Sequence, residues 1–312
     1  MKTLSIIIPC YNEESVIDTT YRRVKTVLDS LRLVSSQMIF INDGSQDRTM
    51  EILLDIARKD RSVKIINFSR NFGHQAAVTA AINHCTSDFA IIIDADLQDP
   101  PELIPELLAK QAEEQANVVY CVRKKRSGES KFKLWTAKKF YRLMNKMAEV
   151  DFPLDTGDFR LIDSQIIEQF NRFKERGKYI RGLISWVGFK QVPFYYEREA
   201  RFAGETKYPF KKMFMFATTA LLYFSKKPLL LATSLGFSTV VIGIFMALWF
   251  VFGRIFGFTH AEVGWTSIVI IVIFFGGIQL LTVGILGQYI GILFDEVKER
   301  PEYIIKDFIN WK

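Results

Sequence analysis

The most informative stretch of the chain is Ile91–Gln98, with the sequence IIIDADLQ. Its three consecutive isoleucines predict a buried strand. Two carboxylates follow, and the i, i+2 spacing of Asp94 and Asp96 places both on one side of an extended chain, with the oxygen of Gln98 on the same side. Because neighbouring acids repel each other, a divalent cation is their natural partner, and it would also bridge a nucleotide diphosphate. Solvated acids at a strand end are the alternative interpretation.

Short β-branched runs alternate with helical patterns around this stretch. The alternation predicts an α/β fold with a mostly parallel sheet covered on both faces. No Gly-x-Gly-x-x-Gly follows the first strand, so a dinucleotide-binding fingerprint is absent. Ligands in such sheets bind beyond the carboxyl ends of the strands, where Asn12-Glu13, Asn42-Asp43 and Asp94-Ala95-Asp96 lie. The expected elements are the strands Leu4–Ile8, Met38–Ile41, Val63–Phe68, Phe89–Ile93 and Val118–Val122, and the helices Ile17–Leu31, Arg48–Arg58, Gln75–His84, Glu102–Glu114 and Ser164–Phe173.

The distribution of charge indicates a membrane segment. Hydrophobic residues make up 49% of the chain, and only Arg254 and Glu262 are charged within Leu229–Phe294. Two uncharged runs, Leu229–Phe252 and Trp265–Phe294, are each long enough as helices to cross a hydrocarbon core of about 30 Å. Basic residues flank their outer ends, which places both termini in the cytoplasm and the connecting loop outside. A buried hairpin in a soluble core is the alternative.

The composition and charge indicate which classes of molecule the chain could bind. The net charge is +7, and residues 1–228 hold 36 basic against 28 acidic groups. Excess positive charge beside a membrane segment indicates anionic lipid or phosphate partners. Nucleic acid is disfavoured because no zinc spacing, recognition helix or RNA-binding motif is present. The three cysteines show no paired or metal-type spacing, which predicts buried thiols in a reducing compartment, and no stretch resembling a signal peptide opens the chain.

The expected organisation has four parts: a cytoplasmic catalytic domain over 1–208, an amphipathic juxtamembrane helix over 209–228, a transmembrane hairpin over 229–294 and a cytoplasmic tail over 295–312. The juxtamembrane segment has apolar residues at helical spacing and lysines at its ends, as a helix in the membrane interface needs. A soluble amphipathic helix is the alternative. In the second span, Gly287-x-x-x-Gly291 allows close approach to another helix, within the chain or in a second protomer of a homo-oligomer.

Several motifs together carry a resemblance. Residues 6–14 (IIIPCYNEE), 42–45 (NDGS) and 94–101 (DADLQDPP) resemble the inverting family-two glycosyltransferases with a GT-A fold. Residues 67–75 (NFSRNFGHQ), 155–161 (DTGDFRL), 201–208 (RFAGETKY) and the two spans make the whole chain similar to polyprenyl-phosphate glycosyltransferases. Bactoprenol glucosyltransferases are the nearest members, and dolichol-phosphate mannose synthases are more distant. Asn42 and Thr206 depart from the family, where a second Asp and a Ser are commoner.

The resemblance implies a role for each site residue. The nucleotide-binding residues would be Pro9, Tyr11, Glu13 and Asp43 around the uridine and ribose, with Asp94 beside them. The metal ligands for Mg²⁺ or Mn²⁺ would be Asp96 and Gln98, with Asp94 adjoining. The phosphate-binding residues would be Arg201, Lys207 and Arg160. Asp158 is the acid that the family labels a general base, and a loop-capping role is its alternative. Asp155 is the second candidate, and His74 is expected to be structural or to contact the nucleotide because no carboxylate partner is evident.

These expectations combine into one hypothesis. The chain moves a hexose, with glucose favoured, from a UDP-sugar to undecaprenyl phosphate at the cytoplasmic membrane face, with inversion at the anomeric carbon. One alternative is a processive polysaccharide synthase, although the Gln-x-x-Arg-Trp motif of such enzymes is absent. Another is a non-catalytic membrane scaffold or transport subunit.

Overall fold

The computed structural model describes residues 2–31, 34–123, 156–176, 178–197, 225, 227–256 and 264–311. They belong to two compact units. One holds a sheet with its helices and the C-terminal residues from Arg300 onward, and the other holds two long helices. The juxtamembrane helix expected over 209–228 falls almost wholly outside the described residues, as do the predicted site residues Asp155, Arg201 and Lys207.

Within the described ranges, eight strands form one sheet. In chain order they are β1 (Lys2–Cys10), β2 (Val34–Asn42), β3 (Val63–Phe68), β4 (Phe89–Ile92), β5 (Val118–Arg123), β6 (Thr156–Asp163), β7 (Gln191–Tyr196) and β8 (Ile305–Ile309). Their order across the sheet is β7-β5-β6-β4-β1-β2-β3-β8. β1 pairs in parallel with β2 and β4, β2 with β3, and β5 with β7. β6 runs antiparallel between β4 and β5, and β8 runs antiparallel beside β3. The mostly parallel sheet predicted from the sequence is confirmed.

Helices cover both faces of this sheet. As a result, β1 is buried at every residue from Leu4 to Cys10. Alternate residues such as Leu4 and Ile6 enter the main apolar cluster together with Val24 and Leu53 from two helices. This burial on both sides explains why the central strands are continuous apolar runs. The helices are α1 (Ile17–Ser30), α2 (Thr49–Lys59), α3 (His74–Asn83), α4 (Ile104–Glu114), α5 (Ser164–Arg172) and α6 (Ile180–Trp186).

The C-terminal residues form part of the sheet. Residues 295–312 were expected to be a tail, but β8 lies along the edge of β3. The ring of Tyr303 stacks on Phe68 with centroids 5.3 Å apart. The indole Nε1 of Trp311 donates a hydrogen bond to the carbonyl of Ile65 at 3.1 Å. The chain that follows the second long helix is therefore anchored to β3.

The second unit contains α7 (Lys227–Ile255) and α8 (Trp265–Val297). Both helices are long and apolar enough to cross a membrane, with mean hydropathies of 2.1 and 1.6 in their most apolar windows. A hairpin in a soluble core would be buried, but only 6% and 0% of the residues in those windows are buried. The two candidate membrane-spanning helices expected from the sequence are therefore present.

The glycines of α8 bear on how this helix packs. Among the described residues, no atom lies within 4 Å of a Cβ placed on Gly287 or Gly291, so neither glycine is in close contact with α7. We expect Gly287→Leu combined with Gly291→Leu to weaken a detergent-stable oligomer, because the larger side chains prevent close helix approach. Native mass spectrometry in mild detergent measures this, with Gly243→Leu in α7 as the control. An unchanged oligomer, or a monomeric wild-type protein, would contradict the prediction.

Candidate active site at the carboxyl ends of the central strands

The predicted nucleotide and metal residues lie in loops that follow adjacent strands. β4, β1 and β2 are neighbours and run parallel, so their carboxyl ends meet at one edge of the sheet. Pro9 is buried within β1, and Tyr11, just beyond it, is 39% exposed. The loop after β1 also carries Glu13, the loop after β2 carries Asp43, and the loop after β4 carries Asp94, Asp96 and Gln98, so all of these residues lie at the same edge. Their contacts with a ligand stay a prediction.

Hydrogen bonds tie the loop after β1 to the loop after β2. The side-chain oxygen of Asn12 accepts a bond from the backbone N–H of Gln46 at 2.8 Å, and its own N–H donates to the hydroxyl of Ser45 at 3.0 Å. The N–H of Glu13 donates to the hydroxyl of Thr49 at 2.8 Å. Asn12 has a φ of 54°, a left-handed conformation that asparagine tolerates better than most residues. Asn12 therefore fixes the conformation of the loop after β1, in which Tyr11 is partly exposed.

Asp43 holds a third loop. It is 3% exposed, and its two carboxylate oxygens accept the N–H groups of Phe72 at 2.7 Å and Gly73 at 2.9 Å. Burial raises the pKa of Asp43, while these two backbone bonds act in the opposite direction. The structure thus gives Asp43 a structural task, whether or not it also contacts a nucleotide.

Asn42 stands where many family members have an acid, and its surroundings explain the amide. The side chain is 2% exposed, and its Nδ2 donates to Oδ1 of Asn67 at 2.9 Å. Asn67 Nδ2 in turn donates to Oδ2 of Asp307, the β8 residue paired with it, at 3.0 Å. A carboxylate at position 42 could not donate this bond. The amide therefore connects the β2 end to β8.

A glycine is required at position 44, two residues after Asn42, because the backbone of Arg70 and Asn71 comes close to it. Its φ is +67°, and a Cβ there would lie 2.3 Å from the carbonyl carbon of Arg70. We expect Gly44→Ala to lower the free energy of unfolding by about 3 kcal/mol, from the left-handed conformation and the clash together. Gly188→Ala is the matched control, since Gly188 has a φ of +78° but no atom closer than 3.8 Å.

Thermal unfolding of the detergent-solubilised variants measures the difference between the two glycine substitutions. Gly188→Ala should cost only the conformational part, about 1 kcal/mol. Equal melting temperatures for the two variants would contradict the steric argument.

The loop after β4 corrects one step of the sequence analysis. β4 ends at Ile92, and Asp96 lies in a turn with Ala95, so Asp94 and Asp96 are not both on an extended strand. The backbone N–H of Gln98 donates to Oδ1 of Asp96 at 3.2 Å, and Leu97 adopts a φ of 57°. Burial nevertheless alternates: the three polar side chains are half-buried, and the apolar residues between them are buried. The turn therefore gives the predicted polar residues similar exposure by a different backbone path.

The acids of this loop fit a cation bound together with a substrate. The pKa of Asp94 is raised to about 6: burial is the main cause, the charge of His74 opposes the rise, and the charges of Asp158, Asp99 and Asp96 add to it. A cation bound beside Asp94 would offset both the burial of this carboxylate and the charges of the neighbouring acids. In the part of the chain that the structure describes, no three Asp, Glu, His or Cys side chains form a complete metal cage. Magnesium bound with a phosphate substrate needs only one or two carboxylates, so Asp94 and Asp96 fit such an ion.

Asp158 is the centre of an ionic cluster. It lies on β6 and is 8% exposed. Arg181 donates from Nε to Oδ1 at 2.7 Å and from Nη2 to Oδ2 at 3.2 Å, and Nε2 of His74 donates to Oδ2 at 3.0 Å. Nε2 of His74 is also 3.9 Å from Oδ1 of Asp94. The expectation that His74 has no carboxylate partner is therefore wrong. The partner, Asp158, lies 84 residues further along the chain, so no local pattern indicated it.

The cluster fixes the charge of its members. Burial alone would raise the pKa of Asp158, but the charge and hydrogen bonds of Arg181, together with those of His74, hold it well below its usual range. Burial opposes protonation of His74, yet the hydrogen bond to Asp158 and the charges of Asp94 and Asp158 raise its pKa to about 9. Near neutral pH, Asp158 is consequently a carboxylate and His74 an imidazolium.

Arg160, a predicted phosphate ligand, is 4% exposed. Its Nη2 donates to the carbonyl of Gly157 at 3.0 Å, which braces the start of β6. Burial lowers its pKa to about 10. A phosphate contact for Arg160 stays a prediction, as do the contacts proposed for Arg201 and Lys207 outside the described residues.

Sequence reasoning missed Arg181 altogether. Its partner Asp158 is 23 residues away, and no motif surrounds it. It also missed the hydrogen bond from the hydroxyl of Tyr196 to Asp99, which joins β7 to the loop after β4. The predicted burial of Cys10, Cys85 and Cys121 is confirmed.

The chain is similar to several known proteins. Residues 5–170 match the family model described as glycosyl transferase family 2. The chain is similar to the uncharacterized glycosyltransferase YkcC of Bacillus subtilis, with 47% identity over 97% of this chain and 93% of that protein. It is also similar to the bactoprenol glucosyl transferase of Shigella phage SfII, with 36% identity over 97% of both chains. A crystal structure of glucosyl-3-phosphoglycerate synthase from Mycobacterium tuberculosis is similar at 18% identity and a TM-score of 0.47, over 71% of this chain and 78% of that one.

Proposed function

The chain belongs to glycosyl transferase family 2 and has the GT-A fold, and from that premise we propose that it transfers a hexose from a UDP-sugar to undecaprenyl phosphate. Glucose is the favoured hexose, and the anomeric carbon inverts. The observation that carries the proposal is the 36% identity to a bactoprenol glucosyl transferase over 97% of both chains. That match extends through both candidate membrane helices, whereas the family model ends at residue 170.

The strand-end residues divide the work of such a transfer. Tyr11 and Glu13 would contact the uridine part of the donor, beside the loop that Asp43 holds. Asp94, Asp96 and Gln98 would hold Mg²⁺ or Mn²⁺ against the diphosphate. When bound, that ion supplies positive charge where negative charge develops on the departing UDP.

Asp158 would lie near the anomeric carbon. Because its charge is fixed by Arg181 and His74, it would stabilise positive charge on the sugar or orient the sugar hydroxyls. Arg201 and Lys207 would offset its repulsion of the incoming phosphate dianion.

The membrane helices would keep the acceptor in the bilayer during the reaction. Basic residues flank α7 and α8, and this bias favours a cytoplasmic position for both termini and for the catalytic unit. The polyprenyl chain would then stay in the lipid while its phosphate reaches the strand ends.

A transfer assay tests the proposal. It uses the purified protein in nanodiscs, a panel of UDP-hexoses as donors and undecaprenyl phosphate as the acceptor. Mass spectrometry should find undecaprenyl phosphate with one added hexose, formed only with divalent metal, and NMR should find an inverted anomeric centre. Undecaprenol without phosphate is the control acceptor and should give no product. Products with several hexoses would favour a processive synthase, and no transfer from any donor would favour a scaffold.

A further inference from the structure

Four side chains from four elements form a chain of charges beside the site. Arg181, near the start of α6, contacts Asp158 on β6; Asp158 contacts His74, at the start of α3; and His74 lies 3.9 Å from Asp94, after β4. Charge therefore alternates from one member to the next. This arrangement links the metal and nucleotide loop to a residue that neither the family motifs nor the sequence pattern singled out.

The geometry of Arg181 is that of a clamp. Its Nε and Nη2 bind the two oxygens of Asp158, a bidentate contact that fixes the plane of the carboxylate. Its Nη1 donates to the carbonyl of Thr156 at 2.9 Å, which ties the same guanidinium to the backbone of β6. Arg181 thus forms hydrogen bonds both with the side chain of Asp158 and with the backbone of the strand that carries it.

The base of this clamp is anchored separately. The backbone N–H of Ile180, the first residue of α6, donates to Oε1 of Gln75 on α3 at 3.1 Å. α3 also carries His74, which holds the other side of Asp158. The elements that carry Arg181 and His74 are therefore connected through Gln75 as well as through Asp158.

We infer that Arg181 is a positioning residue for the transfer, which acts through Asp158 by holding its carboxylate in one orientation toward the sugar. The inference rests on the proposed function. Arg181 needs no contact with either substrate in this role. A carboxylate displaced by about 1 Å can cost roughly 10²-fold in rate, so the clamp matters to turnover.

The test is a double-mutant cycle on the full-length protein in nanodiscs. It uses Asp158→Asn, Arg181→Gln and the two combined, with kcat and KM measured for the UDP-sugar and for undecaprenyl phosphate. Arg172→Gln is the matched control, because Arg172 is an exposed arginine paired with Glu168 on the surface of α5.

Arg181→Gln should lower kcat by about 10–10²-fold with KM for the donor within about twofold of the wild type. Once Asp158 is Asn, removal of Arg181 should change kcat by less than about threefold, since the clamp has nothing left to position. Arg181→Lys should fall between wild type and Arg181→Gln, because lysine keeps the charge but loses the fork.

If Arg181→Gln fails to fold, the comparison of Asp158→Asn with the double variant still decides, since neither of these two proteins contains the Asp158 carboxylate and they differ only in the presence of Arg181. An active wild type whose double variant loses more than about threefold relative to Asp158→Asn would overturn the inference alone. Unchanged kcat in Arg181→Gln would do the same. A wild type that transfers no hexose would overturn the proposed function, and the inference with it.

Discussion

Replacing Asp96 by Asn should lower hexose transfer by at least about 10²–10³-fold, the largest loss that we expect from a single substitution. The change keeps the size of the side chain but removes one of the two carboxylate charges expected to hold the metal ion. Asp96 is half-buried and lies in the turn after β4, outside the packed core. The fold should therefore persist, and the loss should appear in turnover and in the concentration of Mn²⁺ or Mg²⁺ needed for half-maximal rate.

The control for this prediction is Asp55→Asn, the same chemical change on the exposed face of α2. Asp55 pairs with Arg58 at the surface, where an ion pair contributes little. Both proteins should be stripped with chelator and titrated with each metal, and their melting temperatures compared. Near-normal activity of the Asp96 variant in metal-restored buffer would show that the metal ligand is another residue.

The central strands could be predicted from the sequence because their signal is local. β1 to β4 contain short runs rich in Ile, Val or Phe that are buried on both faces, and such runs are visible without knowledge of their neighbours. The order of the strand-end motifs then placed Asp43, Asp94 and Asp96 at one edge. The two long apolar helices were visible for the same reason, since their composition alone sets them apart.

β6 and β8 could not be predicted, because their signal depends on distant partners. β6 buries the charged residues Asp158 and Arg160, which break the expected apolar pattern, and they are tolerated there because Arg181, His74 and the Gly157 carbonyl contact them. β8 exposes most of its residues and is a strand only because β3 offers an edge. Its contact between Asp307 and Asn67 spans 240 residues.

The same dependence on distant contacts explains the incomplete prediction of the site. Each acid was recognised from its motif, yet its protonation state depends on residues outside the motif. Asp158 has the sequence context of a family base, but the two cations that contact it make it a poor proton acceptor. The motif therefore made Asp158 a candidate, and only the structure indicates its charge.

Asp158→Asn should lower transfer about 10²-fold, and raising the pH from 7 to 8 should not restore it. The lipid phosphate has a second pKa near 6, so about nine-tenths of it is already dianionic at pH 7 and has no proton to lose. Arg181 and His74 also hold the pKa of Asp158 well below its usual range, and a base so weak gains little by accepting a proton. The wild-type rate should accordingly be flat between pH 7 and 8.

This pH range is chosen because of His74. Its pKa is raised to about 9, so it stays protonated in the wild type up to pH 8 and loses its proton as the pH rises through 9. In Asp158→Asn the negative charge that helps to raise this pKa is lost, so His74 can titrate within the range. The double variant His74→Gln/Asp158→Asn removes that titration and should also give a flat profile. A rate for the double variant that climbs tenfold per pH unit would show that a proton must leave the acceptor, and that Asp158 is a base after all.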